Sequence, residues 1–311
     1  MKKLTAITLA LILMLSLTAC GGSTVNSNGN NSTSTPTSSD DTTMPDSDDG
    51  SELPTDVSSV TTTSEITVDE QVILDQDDIK ITLKSLSFDG WIGPELKVLI
   101  ENNSEKGVTI QTRDSAVNGV MIDTTFSASV EPDKKSNDEI TFSSSDLEQA
   151  GIDTLKDIEF LFHVFESESW DAMFDSDAIL ISTTAEEGFV QQYNDAGTLL
   201  YEDSGFRVVI QSKDDTESFW GADIYVYVEN LTTSDITVQL RDTSVNGFMI
   251  DPMFSCSVLP GKRAYDSITF LESYLTDNGI DSIDEMEFSL HIFDSKSWDT
   301  IKDTEKLNVS F

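Results

Sequence analysis

The feature that most constrains this chain is an internal duplication. Residues 101–181 overlie residues 229–309 without a gap after a shift of 128 positions, and 36 of the 81 aligned pairs are identical. The copies share long runs, such as RDSAVNG at 113–119 and RDTSVNG at 241–247. Because a sequence repeat normally corresponds to one structural unit, we predict two copies of one domain, at residues 66–185 and 186–311.

Apolar residues alternate with polar ones along short segments of both copies, which is typical of half-buried β-strands. In the first copy the alternating stripes are Ile79/Ile81/Leu83, Leu96/Val98/Ile100, Val108/Ile110, Phe126/Ala128/Val130, Ile140/Phe142 and Ile158/Phe160/Phe162/Val164. Turn sequences such as Asn118-Gly119 separate them. The pattern predicts an all-β fold of two tandem antiparallel immunoglobulin-like β-sandwich domains. A small closed barrel is the alternative.

Short helical crossovers are expected between some strands. Ser145 to Glu148 has the spacing of a capping box and is followed by Gly151, and residues 273–279 repeat this outline without the Glu. The sequences Ser-Trp-Asp at 169–171 and 297–299 indicate a second cap, with the Asp near the positive end of a helical turn.

The first residues have the organisation of a secretion signal. Lys2 and Lys3 precede an apolar run from 4 to 19, which is short for a membrane span, and Leu-Thr-Ala-Cys follows at 17–20. These four residues resemble the lipobox of bacterial lipoproteins. The resemblance implies cleavage before Cys20 and a diacylglycerol thioether on its sulfur, so that lipid anchors the mature chain to the membrane. An ordinary secretory signal is the alternative.

The next segment is predicted to be a disordered tether at residues 21–65. Of the 40 residues from 21 to 60, 34 are Ser, Thr, Asn, Asp, Gly or Pro. Such a composition buries too little apolar surface to offset the entropy lost on ordering.

The charge balance excludes several classes of partner. The chain has 57 acidic and 18 basic residues, a formal charge of −39, which opposes nucleic acids and anionic lipid surfaces. Two His and two Cys in the whole chain argue against zinc sites and disulfide scaffolds. Cys256, aligned with Ala128, is expected to be a buried, inert thiol. We expect no cofactor.

The duplicated polar residues have two interpretations each. His163 and His291 share strand faces with Glu159 and Glu287. Packing or a local hydrogen bond is favoured over metal binding, because two ligands are fewer than a site requires. Recurring carboxylates suggest weak calcium candidates: Glu166, Asp171, Asp175, Asp294, Asp299 and Asp303. A solvated acidic face is favoured, since no EF-hand spacing occurs. The pairs Arg113 with Asp114 and Arg241 with Asp242 are interpreted as structural ion pairs, with anion recognition as the alternative.

Tryptophans are the strongest candidates for a binding surface. Trp91 in the first copy, and Phe219 with Trp220 in the second, lie in hairpin loops of different length and are expected to present aromatic platforms to sugar rings or a partner protein. Trp170 and Trp298 recur in register and are expected to pack the sandwich edge.

Taken with the lipobox, the chain resembles bacterial surface lipoproteins of Gram-positive type that carry uncharacterised immunoglobulin-like repeats. The resemblance implies a location on the extracellular face of the cell membrane. Neither a Gly-x-Ser-x-Gly elbow nor a His-Glu-x-x-His helix occurs in the sequence. We therefore expect a non-enzymatic binding or spacer module whose partner is an envelope protein or cell-wall polysaccharide. The alternatives are a solute- or polysaccharide-binding receptor and an acid-pair hydrolase.

Overall fold

The computed structural model describes residues 66–203, 205–214 and 221–311. The predicted signal segment with Cys20, the predicted tether, Phe219 and Trp220 lie outside these residues. The described residues form strands with two short helices, which confirms the all-β prediction. No helix in this part of the chain is long and apolar enough to cross a bilayer.

The first copy forms two antiparallel sheets. Its elements are β1 (Gln71–Gln76), β2 (Ile79–Ser87), β3 (Glu95–Asn102), β4 (Val108–Val117), β5 (Val120–Met121), β6 (Thr124–Thr125), β7 (Ser127–Val130), β8 (Lys134–Phe142), α1 (Ser144–Gln149), β9 (Asp157–Glu166), β10 (Ala172–Asp175) and β11 (Ile179–Ser182). One sheet has the order β1-β2-β3-β8-β6, and in the other β4 pairs with β9, which pairs with β10 and β11. The sets β2-β3-β8-β6 and β4-β9-β10 correspond to the ABED and CFG sheets of an immunoglobulin sandwich.

The second copy repeats this arrangement. Its elements are β12 (Thr198–Asp203), β13 (Phe206–Asp214), β14 (Gly221–Asn230), β15 (Ile236–Val245), β16 (Phe248–Met249), β17 (Ser255–Val258), β18 (Arg263–Leu271), α2 (Glu272–Asp277), β19 (Glu285–Asp294), β20 (Thr300–Asp303) and β21 (Leu307–Ser310). Strands β12, β13, β14 and β18 face the sheet of β15, β19 and β20. The prediction of two immunoglobulin-like sandwiches is thus confirmed.

The predicted apolar stripes form the core between the two sheets of the first copy. Every residue of those stripes is at most 8% exposed. Side chains from β2, β3 and β8 pack with those from β4 and β9 in one cluster. Because β1 and β6 end the first sheet without pairing to each other, the closed barrel is excluded.

The two copies meet at a seam, which consists of β5 and its flanking loops on one side and the outer face of β13, β14 and β18 on the other. The Arg263 amide donates to the Gly119 carbonyl at 3.0 Å, and β5 and β18 pair in parallel at Val120 and Arg263. Val209, Tyr227 and Tyr265 pack into the buried cluster of the first copy. One ten-stranded sheet therefore runs through both copies.

The two helices differ in how they begin. Helix α1 is capped by Ser143, whose hydroxyl accepts the Asp146 amide, so the predicted cap at Ser145 is wrong. The helix starts earlier because β8 ends at Phe142, and Ser143 is then the first residue with the extended conformation that a cap requires. Helix α2 has Leu271 at its N-cap and lacks a side-chain cap bond.

Candidate functional site

The turn after β9 holds a tryptophan in an unusual backbone conformation. Trp170 has φ of 65°, in the left-handed region that suits glycine. Its amide donates to the Glu166 carbonyl at 2.9 Å, and the Glu166 amide donates to the Asp171 carbonyl at 3.0 Å. These bonds close a hairpin between β9 and β10. The predicted helical cap at 169–171 is therefore wrong, because the chain reverses here into a paired strand.

The second copy forms the same turn between β19 and β20. Trp298 also has φ of 65°, and its amide donates to the Asp294 carbonyl at 2.9 Å. The Asp294 amide in turn donates to the Asp299 carbonyl at 3.0 Å. A strained tryptophan is thus part of both copies.

Each of these tryptophans belongs to a stack of three rings. In the first stack Trp170 lies on Phe165 at 5.5 Å, with 19° between the planes, and Phe165 contacts His163 at 5.5 Å. In the second stack Trp298 lies on Phe293 and Phe293 on His291, at 5.5 and 5.1 Å.

Most of each indole remains in contact with solvent. Trp170 is 73% exposed and Trp298 is 74% exposed. We expected this pair of tryptophans to pack the sandwich edge. Each indole does pack on one ring face, where Phe165 covers Trp170 and Phe293 covers Trp298. We call these two groups of rings the Trp stacks.

A carboxylate fixes the histidine at the base of each stack. The Nδ1 atoms of His163 and His291 lie 2.5 and 2.6 Å from carboxylate oxygens of Asp175 and Asp303. The histidines therefore contact the next strand rather than Glu159 and Glu287. This bond links β9 to β10 and β19 to β20 beneath the tryptophans.

The calcium candidates are divided among separate partners. Glu166 pairs with Lys106, which lowers the pKa of that carboxyl. Amides of Ser297 and Lys296 donate to Asp294 and lower its pKa. Asp175 and Asp303 bind the histidines, and Asp171 and Asp299 lie in the turns. Among the described residues, no three His, Cys, Asp or Glu side chains are grouped so as to hold a metal ion.

The arginine candidates lie at a β-bulge in each copy. The register of β4 on β9 shifts between Arg113 and Ala116, and Asp114 and Asp242 have φ of 55° and 51°. Within the described ranges neither Arg113 nor Arg241 has a carboxylate oxygen within 4.0 Å. The predicted ion pairs are thus not formed among the described residues. All four side chains are exposed, and an exposed ion pair gains little free energy over solvation by water.

Trp91 lies in the loop between β2 and β3 and is 97% exposed. The loop is tied to α1, because the Ser144 amide donates to the Ile92 carbonyl at 3.1 Å. Gly93 allows this approach: a Cβ there would lie 2.0 Å from the Phe142 carbonyl oxygen. That Trp91 acts as a binding platform stays a prediction.

Cys256 is 2% exposed, as expected from the sequence. Burial raises the pKa of its thiol well above the usual value, which keeps it protonated and unreactive. It contacts Asp266 at the seam, where Asp123 and Asp146 also lie. Burial raises the pKa of Asp266 and of Asp123.

A cleft lies along the seam, and sequence reasoning missed it. We call it the seam cleft: it has a volume of about 660 Å³ and is lined by Ser145, Glu148, Gln149, Asn194, Ala196, Gly197, Gln211, Ser212 and Tyr225. The sequence signal lies in differences between the copies. The first copy has Lys97 where the second has Tyr225, and Asn137 where the second has Tyr265. A polar residue in one copy and an aromatic residue at the same strand position in the other indicate a strand face that is exposed in the first copy and packed against other residues in the second.

The sheet order and the two cores define a protein of two joined immunoglobulin-like sandwiches. No family model and no curated protein matches the chain. A number of solved structures resemble the chain at low identity. The YadV chaperone has a TM-score of 0.23 and 11% identity, covering 75% of this chain and 100% of its own.

The SafA pilin in complex with the SafB chaperone, from Salmonella enterica, has a TM-score of 0.20 and 10% identity, with 70% and 89% covered. A protein of unknown function from Porphyromonas gingivalis W83 has a TM-score of 0.19 and 9% identity, with 78% and 96% covered. Likeness of this size carries no argument about function.

Proposed function

We propose that this chain is a lipid-anchored protein of the bacterial cell surface whose paired sandwiches bind an envelope component without catalysing a reaction. The lipobox sequence ending at Cys20 supports the anchor. The Trp stacks support the binding role, and they are the observation on which it rests. The partner classes are an envelope protein or a cell-wall polysaccharide, as the exposed aromatic rings suit both.

Energetics favour a binding role for the two indoles over a structural one. A left-handed conformation costs an L-residue about 1–2 kcal/mol. An aromatic pair contributes about 0.5–1.5 kcal/mol beyond its buried area, a gain of the same size as the strain. Both copies nevertheless keep the tryptophan and its exposure, although 45 of the 81 aligned pairs differ. Recognition of a ligand on the uncovered ring face accounts for this retention.

The binding role is tested with Trp170→Ala, Trp298→Ala and the double variant. Binding of the mature protein to purified wall polysaccharide and to solubilised envelope proteins is measured separately. We expect each single variant to weaken binding and the double variant to weaken it further. Tyr274→Ala is the matched control, because Tyr274 on α2 is 48% exposed and lies outside the stacks. Unchanged capture by the double variant would refute the Trp stacks as the contact.

Trp91→Ala tests the loop platform in the same assays. Loss of binding in this variant alone would assign the contact to the β2–β3 loop and not to the Trp stacks.

The anchor has an independent test. Cys20→Ala is expected to abolish labelling by a palmitate analogue and to move the protein from the membrane fraction to the medium. A Cys20→Ala protein that stays labelled and membrane-bound would contradict the lipoprotein assignment.

A further inference from the structure

The seam cleft exists only because the two copies are joined. Helix α1 of the first copy forms one wall, strands β13 and β14 of the second form another, and residues 194–197 of the connecting segment complete it. Its volume of about 660 Å³ falls within the range of small-molecule sites, and such sites occur preferentially at domain interfaces. The Trp stacks are not part of it.

Hydrogen bonds and a ring contact hold the connecting segment in place. The Tyr193 hydroxyl donates to the Asn118 carbonyl at 2.9 Å, and the Arg263 guanidinium lies 4.1 Å from the Tyr193 ring centre. The Asn194 amide donates to the Tyr265 hydroxyl at 2.8 Å. The wall of the cleft is therefore formed before any ligand arrives.

Gly197 brings the connecting segment against β13. Its φ is +147°, and a Cβ at this position would lie 2.1 Å from the Ile210 carbonyl oxygen. Only glycine permits so close an approach of two backbones.

The lining is nearly uncharged in a strongly acidic chain. Among the described side chains that line it, Glu148 is the one carboxylate, while Gln149, Asn194 and Gln211 supply amides and Ser212 and Tyr225 supply hydroxyls. Burial raises the pKa of Tyr225, so its hydroxyl stays protonated and can donate. This composition disfavours an anionic ligand, because an anion would find no cationic side chain in the lining.

Several of these polar groups are available to a ligand. Within the described part of the chain, the Tyr225 and Ser212 hydroxyls and the Asn194 Nδ2 have no hydrogen-bond partner. Gln211 uses its Nε2 to reach the Asn194 carbonyl at 2.8 Å, which leaves its Oε1 as an acceptor. The lining thus offers donors and acceptors together with an aromatic ring, a combination that matches the hydroxyls and apolar face of a sugar.

We propose that the seam cleft binds a neutral saccharide, with the ring of Tyr225 against the sugar face and the amides of Gln149, Asn194 and Gln211 bonded to its hydroxyls. The site goes beyond the proposed function, because it lies at the seam and uses none of the Trp stacks. The first copy lacks it: Lys97 stands at the position of Tyr225.

The test is titration of the intact soluble chain, residues 21–311, with cellobiose, maltose and di-N-acetylchitobiose at millimolar concentration. Saturation-transfer NMR and calorimetry follow binding, with digalacturonate as the anionic comparison. We expect saturable binding of at least one neutral disaccharide and none of digalacturonate. Absence of saturable binding by all three neutral sugars, or equal binding of digalacturonate, overturns the proposal.

Two variants locate the binding. Tyr225→Lys carries the residue of the first copy on the same strand, and Gln149→Ala removes an amide on α1. Each is expected to weaken neutral-sugar binding about tenfold, as for loss of a stacking ring or hydrogen bond.

The double variant of Trp170→Ala and Trp298→Ala should bind the disaccharide as the parent does, which separates this site from the proposed envelope contact. Circular dichroism melting confirms that each variant is folded. Binding unaffected by both cleft variants would place the sugar elsewhere and refute the site.

Discussion

Trp170 and Trp298 show how much one residue can depart from local preference. Both have φ of 65°, and the other described residues with positive φ are Gly, Asp and Asn. Recurrence of the two tryptophans is visible in the sequence, but their conformation is not, because no rule of composition assigns a left-handed φ to a bulky residue. The Asn118-Gly119 turn was predictable for the opposite reason: φ values of 51° and 81° are those that Asn and Gly favour.

Substitution of Trp170 separates strain from stacking. Trp170→Ala loses the contact with Phe165 and keeps the strain, so the free energy of unfolding should fall by about 0.5–1.5 kcal/mol. Trp170→Gly relieves the strain and should be more stable than Trp170→Ala by up to about 1 kcal/mol. Urea unfolding measures both, and the Trp298 variants provide a replicate. Equal stabilities of the Gly and Ala variants would show that the turn is unstrained.

At the scale of elements, the strands were more predictable than the helices. The stripes on β2, β3 and β9 follow from period-2 alternation and lie where expected. The start of α1 depends on where β8 ends. The alternation of apolar and polar residues does not show the last residue of that strand. Ser143, Ser144 and Ser145 are all suitable caps by type, and only Ser143 has the extended conformation before the first turn.

Removal of the cap tests this assignment. Ser143→Ala should lower the free energy of unfolding by about 1 kcal/mol, because the Asp146 amide loses its acceptor. Leu271→Ala is the control for a substitution at an N-cap position, because Leu271 at the start of α2 makes no side-chain cap bond. Ser145→Ala should have the smaller effect in the first copy. A larger loss of unfolding free energy in Ser145→Ala than in Ser143→Ala would show that Ser145 caps α1, as the capping-box spacing predicts.

At the scale of the whole molecule, the seam joins the two sandwiches through one continuous sheet. Val209, Tyr227 and Tyr265 fall at outward positions of their strands, where alternation predicts contact with solvent. They are instead 1%, 2% and 9% exposed, because the first copy covers them. The contact was not predictable from either copy alone. Comparison of the copies reveals it, since Asn137 aligns with Tyr265 and Lys135 with Arg263.

The seam also carries a pH dependence. Burial raises the pKa of Asp266 above the 3.8 expected for an unfolded chain. The carboxyl therefore contributes stability that is fully present below about pH 3.8 and is lost as pH rises through its folded pKa. Asp266→Asn should raise the melting temperature at pH 7 and have less effect at pH 4. Exposed Asp281→Asn is the control. A gain that is equal at both pH values would exclude titration of Asp266 as its cause.

A seam that holds both sandwiches in one unit also sets a constant separation between the two Trp stacks. For a ligand made of repeating units, the second contact then becomes intramolecular, and such linkage can raise affinity by about 10²–10⁴ without any new interaction. Fragments too short to reach both indoles gain nothing from this linkage. The chain would then select envelope ligands by length as well as by chemistry.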